Sequence, residues 1–139
     1  MVLAPEQGIV IARAHAAAER HGDIDATLAT LDPDPVYELL PVGRVMRGMD
    51  AARRYYEHFF ASFRALAVGS ELHCEWVNAV GVAQEYTIHL RLADGSREHH
   101  RVLAILTFGE QGLSGERVYA DERLLRLMFG PAFDLADPA

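Results

Sequence analysis

The chain has 139 residues, half of them hydrophobic, a formal charge of −7 and one cysteine. That length suits one domain burying roughly two-thirds of its unfolded surface. The negative charge argues against nucleic acid or an anionic membrane as partner, since both need a basic face. No apolar run reaches the ~18 residues of a membrane-spanning helix.

The opening Met1-Val-Leu-Ala-Pro-Glu-Gln has no basic segment of a signal peptide. Cys74 stands alone, so no internal disulfide is expected, and a reducing cytoplasm is the expected compartment. Residues 5–20 are alanine-rich, with Ile9, Ala12, Ala16 and Glu19 at helical spacing. Pro5 suits the first turn, and Gly22 stops the helix. Asp23 or Asp25 caps a short second helix over 24–31, which Asp32-Pro33-Asp34-Pro35 ends.

Residues 36–41 read as a short strand, and 43–48 as a turn or second short strand. A third helix opens at Met49-Asp50 and runs to about Leu66. Its Met49, Ala52, Tyr56, Phe59, Phe63 and Leu66 form one core-facing stripe. From there the period is two. Leu72, Cys74 and Trp76 alternate with Glu71, His73 and Glu75, and a second alternating run spans 84–92. Asp94-Gly95 marks a hairpin into a strand over 97–108, and a last strand covers 113–120. Asp121 caps a final helix over 122–129, which Gly130-Pro131 ends. One domain over 1–133 with a loose tail, 134–139, is the expected organisation. Leu103, Ile105 and Tyr119 form an apolar patch on the outer sheet face, and a second copy of the chain is the simplest cover, giving a homodimer.

Six segments, in this order and spacing, carry a resemblance: 22–25 (GDID), 34–41 (DPVYELLP), 47–52 (RGMDAA), 55–60 (YYEHFF), 85–87 (EYT) and 115–121 (GERVYAD). The chain resembles the NTF2-like superfamily, and within it the SnoaL-like group of small pocket proteins. That resemblance implies an α+β cone: a strongly curved mixed sheet wrapped around a long helix, leaving a hydrophobic pocket. Relatives include ketosteroid isomerase, polyketide cyclases and limonene epoxide hydrolase, besides binding proteins without catalysis.

Carried over residue by residue, the resemblance departs from the known activities. The isomerase base falls at Leu40, or Leu39 with another gap, and its neutral acid falls near Ala104. The epoxide hydrolase relay falls on Tyr86, Ile88 and Val118. The base, the neutral acid and the relay that those activities use are therefore absent from these positions. His15 matches the isomerase's oxyanion-donor tyrosine, and Tyr56 the tyrosine that supports it. Imidazole titrates near neutral pH, so His15 is the candidate donor or base; the alternative is a hydrogen-bonded histidine at the core margin.

Glu38 or Glu116 is the candidate carboxylate partner. Glu38 shares a strand face with Leu40 if that strand is regular, and Tyr37 then points to the other face. A solvated edge carboxylate is the alternative. Tyr86 and Glu116 have inward parity, and His100 is a possible partner for Glu116. Trp76 is either core or a wall of the pocket. Tyr56, Trp76, Tyr86, His100 and Leu40 are the expected substrate-binding residues. Adjacent His99 and His100 point to opposite strand faces, which disfavours a metal site. No phosphate-binding glycine loop or nucleophile elbow occurs, so no cofactor is expected. The expected ligand is a small hydrophobic molecule. An acid–base enzyme (isomerase, cyclase or dehydratase), a non-catalytic carrier and a dimeric accessory protein all fit this reading.

Overall fold

The computed structural model describes all residues, 1–139. Helix α1 (Pro5–His21) starts at its proline and stops at Gly22, whose φ of 70° is a left-handed cap. Asp23 caps α2 (Ile24–Ala29) by accepting from the Ala26 N–H at 3.0 Å. Strands β1 (Leu31–Leu40) and β2 (Arg44–Arg47) follow, then α3 (Met49–His58), which continues as a π turn, Phe59–Phe63. Four long strands come next: β3 (Ala67–Val77), β4 (Gly81–Arg91), β5 (Arg97–Phe108) and β6 (Leu113–Tyr119). Helices α4 (Glu122–Phe129) and α5 (Pro131–Leu135) and the two-residue strand β7 (Asp137–Pro138) close the chain.

All seven strands form one mixed sheet in the order β3-β4-β5-β6-β1-β2-β7. Only the central β1–β6 pair is parallel; the other pairs are antiparallel. The sheet curls without closing. Its concave face holds one core built from Tyr56, Phe63, Leu90, Val102, Leu124 and Phe129 among others. Helix α1 crosses β4, β5 and β6, while α3 rests on β1 and β2 and touches α4 and α5. Gly8 permits the α1 crossing, because a Cβ there would stand 2.3 Å from the Phe108 ring.

Four expectations about local structure are corrected. Strand β1 begins at Leu31, five residues earlier than its spacing suggested. Asp32 does more than end a helix: its carboxylate accepts from the N–H groups of Glu110, Gln111 and Gly112, organising the β5–β6 turn. The third helix is α-helical only to His58; the π turn carries the stripe onward, so Phe63 is buried and Phe59 lines the interior. Tail residues 134–139 are held in place. Pro138 and Asp137 pair with Arg44 and Val45, and buried Phe133 lies under the guanidinium groups of Arg44 and Arg126 at 4.6 and 4.4 Å. Lastly, a bulge in β3 between Leu72 and Cys74 flips the strand's phase. Leu72 therefore faces inward while Cys74 and Trp76 face outward, in register with Glu85 and Ala83.

Candidate functional site

Between α1, the end of α3 and the concave sheet lies a chamber of about 360 Å³. Eleven of its 17 lining residues are hydrophobic, so polar groups within it stand out. His15 and Glu19 reach it from α1, Tyr55 from α3, Tyr86 from β4 and Glu116 from β6.

His15 is 2% exposed, and its ring is held on both sides. The Thr30 hydroxyl donates to the Thr27 carbonyl at 2.6 Å. Its oxygen is therefore left to accept from His15 Nδ1–H, at 2.7 Å. That assignment puts a proton on Nδ1 and leaves Nε2 to face Glu19 and Tyr56. Nε2 lies 2.7 Å from a Glu19 carboxylate oxygen and 2.9 Å from the Tyr56 hydroxyl. Tyr56 in turn meets the Tyr37 hydroxyl at 2.7 Å. Tyr37 is almost fully buried, and Tyr56 is the partner its hydroxyl depends on. Burial pulls the imidazole toward neutrality, but the Glu19 hydrogen bond and charge, with Glu116's charge added, outweigh it. The His15 pKa therefore lies above the ordinary 6.5.

Glu116 has the opposite problem. No protein hydrogen bond reaches its carboxyl, and the inward neighbours Val118, Ala104 and Leu106 are apolar. Desolvation, then the Glu19 charge, push its pKa up to about 8 against the pull of His15. Near neutral pH it is therefore mostly a carboxylic acid. The Tyr86 phenol also faces the chamber; burial, with Glu116 and Glu19 nearby, drives its pKa upward and keeps it a neutral donor.

The remaining sequence candidates lie elsewhere. In the second half of β1, Tyr37 and Leu39 are buried and alternate with Glu38 and Leu40, which face outward. Glu38 lies 3.7 Å from Arg117 on that outer face. The inward phase was set by the buried Tyr37–Tyr56 contact, not by the position matched to the isomerase base. Trp76 is 52% exposed on the outer face, carried there by the β3 bulge, and walls no chamber. His100 does not meet Glu116. Its Nδ1 lies 2.5 Å from Asp121 and its Nε2 2.8 Å from Glu98, at the start of α4. Tyr56 supports His15 from behind the chamber wall without lining it.

Glu19 and Thr30 were not singled out as site residues from sequence, and Tyr37 was read only as facing opposite Glu38, with one match to the epoxide hydrolase. A signal existed for one of them: His15 and Glu19 are four residues apart on a helix, the spacing at which side chains meet. Thr30 and Tyr37 come from other elements, and no spacing rule reaches them.

A family model described as SnoaL-like domain matches residues 12–114. Solved structures share the fold. An NTF2-like protein from Burkholderia xenovorans LB400 aligns over 90% of this chain and 98% of its own, at TM-score 0.68 and 16% identity. An LEH-like epoxide hydrolase from M. tuberculosis aligns over 94% and 92%, at 0.67 and 19%. A ketosteroid isomerase candidate from Kribbella flavida DSM 17836 aligns over 85% and 80%, at 0.64 and 17%. At such identities the likeness establishes the fold alone. No curated protein matches the chain.

Proposed function

Because the chain belongs to the SnoaL-like domain family, we propose that its chamber carries out cofactor-independent acid–base chemistry on a hydrophobic, carbonyl-bearing molecule. Isomerisation, cyclisation and dehydration are the reactions this chemistry serves. One observation carries the reading: two titratable groups of opposite type, His15 and Glu116, share one apolar chamber with both pKa values raised.

The ionised fraction of Glu116 takes a proton from the carbon beside a carbonyl. The electron pair moves to the carbonyl oxygen, where the Tyr86 hydroxyl and the cationic His15 stabilise the enolate. Glu116 then returns the proton to carbon. Its pKa of about 8 suits a group that must both take and give a proton near neutrality. Thr30 and Glu19 hold the two ring nitrogens of His15, and the Glu19 carboxylate favours its charged form. The proton-taking role thus belongs to Glu116, and His15 supplies the positive charge.

Solvent exchange tests this reading. In deuterated buffer, 2-tetralone incubated with the protein should take up deuterium beside its carbonyl faster than in buffer alone. Glu116→Gln should remove the acceleration. Binding of 2-tetralone with no accelerated exchange would favour a carrier, a reading supported by the apolar Ala104 lining the chamber where the resemblance puts the isomerase's neutral acid.

The outer sheet face supports a homodimer. Trp76, Ala83 and Ile105 lie in register across β3, β4 and β5, beside Leu103 and 40%-exposed Tyr119. Light scattering should report twice the chain mass, falling to one chain in Ile105→Asp. A single-chain mass for the wild type would end the dimer proposal.

A further inference from the structure

The chamber opens outward into a shallow groove of about 360 Å³. Arg20, Phe59 and Ser70 line both spaces, and Arg64 lines the groove. Two guanidinium groups thus stand at the opening in a chain of net charge −7. Arg20 is exposed and forms no ion pair. Arg64 donates from Nη2 to the Arg20 carbonyl at 2.7 Å and stands 5.8 Å from the Phe60 ring centroid, also without a carboxylate partner. Five other arginines pair with carboxylates, among them Arg101 with Glu85, Arg117 with Glu38 and Arg123 with Glu98; Arg13, Arg44, Arg47, Arg54, Arg91 and Arg97 do not, but none of these lines the chamber or the groove. The carboxylate lining the same opening, Glu19, is turned inward to His15 and Tyr56.

A guanidinium fork fits the paired oxygens of a carboxylate or phosphate. An anionic group would be poorly placed inside, among apolar walls and close to Glu19 and Glu116. We infer that the chamber's ligand is an amphipathic anion, with an apolar ring body inside and a carboxylate or phosphate held at the mouth by Arg20, with Arg64 behind it. This deepens the chamber reading above and rests on it. It makes Arg20 a specificity residue: it touches the end of the ligand remote from the reacting carbon, and it fixes which way round the ligand enters.

Three probes with one ring system test it: 2-naphthoic acid, 2-naphthyl phosphate and the neutral 2-naphthamide, titrated calorimetrically near neutral pH. At ~50 mM salt at least one anion should bind ~10-fold tighter than the amide, and the gap should narrow at ~500 mM salt. Whichever anion leads identifies the group as a free acid or a phosphorylated one. Arg20→Gln should erase the gap while leaving amide affinity and the melting curve at wild-type values. Arg64→Gln should narrow the gap by a smaller factor. Equal binding of all three probes overturns the inference and leaves the chamber reading standing. An anion preference that survives Arg20→Gln/Arg64→Gln overturns the assignment to the mouth. Failure of all three to bind overturns both readings.

Discussion

Two histidines in this molecule sit in similar company and serve different ends. His15 lies between Thr30 and Glu19, and His100 lies between Asp121 and Glu98. Both have raised pKa values, because carboxylates outweigh the burial that would neutralise them. Around His100 every charge is matched. Arg123 completes the set by pairing with Glu98, whose pKa falls to about 2, led by the Arg123 and His100 hydrogen bonds. Asp121 also caps α4 through the Leu124 N–H at 2.8 Å. That cluster is a clasp between β5 and α4. Beside His15, by contrast, Glu116 and Tyr86 face a cavity with no protein partner. A strongly shifted pKa therefore does not distinguish a site from a clasp; the unmatched polar group next to it does.

The contrast can be broken in five ways. The largest effect belongs to the chamber. His15→Ala should slow deuterium uptake by 2-tetralone by ~100-fold or more, whereas His100→Ala should leave it unchanged. A loss of exchange on His100→Ala in protein that still binds would erase the distinction. In the wild type, exchange should rise with pH as Glu116 ionises around 8. A pH-independent rate would remove Glu116 from the reaction.

Stability should respond in the other direction. His100→Ala deletes two charge-assisted hydrogen bonds and leaves Glu98 and Asp121 facing one another, at a cost of ~2 kcal/mol. The folded pKa of His100 is raised above its unfolded 6.5. Its contribution is thus fully present below pH 6.5 and is lost as pH rises through the folded value. Asp121 is depressed below 3.8, chiefly because the Leu124 N–H and His100 overcome its burial. Its contribution is present above 3.8 and lost as pH falls through the folded value. Urea titrations of wild type and His100→Ala across that window should converge at alkaline pH. A constant difference would show that packing, not charge, holds the clasp.

Glu116→Gln should stabilise the protein at high pH. The folded carboxyl titrates near 8 and the unfolded one near 4.5, so the wild type pays nothing below 4.5 and progressively more up to 8. The melting temperature of the variant should exceed that of wild type by ~3–6 °C above pH 8 and match it in acid. The reverse order would place Glu116 in a hydrogen-bonded setting. The smallest effect is expected from Tyr37→Phe, which removes one hydroxyl and leaves Tyr56 bonded to His15. A loss of ~1 kcal/mol in stability, with exchange intact, would mark Tyr37 as a support; a loss of exchange would make it part of the relay.

Much of the architecture was legible in the chain. Helix α4 covers the residues its apolar spacing and its Asp121 cap required, and β5 starts and ends where the alternation did. The chamber and the inward setting of His15, Tyr86 and Glu116 followed from strand parity and the resemblance. Glu38, Trp76 and His100 were misplaced for specific reasons. The β3 bulge costs one residue and reverses every face beyond it, and alternating composition looks the same on either side of such a slip. The phase of β1 turned on whether Tyr37 could bury its hydroxyl, which depends on Tyr56, nineteen residues away. His100 is bonded to Glu98 and to the capping Asp121 of α4, which occupy both ring nitrogens and leave none for Glu116.

Local rules of propensity, period and capping act within a few residues, so the order of helices and strands, the greasy inner face and the presence of a proton-carrying histidine on α1 were already written in the chain. Which groups meet was settled only when the sheet curled. Contacts such as His15 with Thr30 and Tyr56, or Arg20 with the chamber's mouth, join elements whose distance is set by packing, and a single bulge or turn is enough to exchange one partner for another.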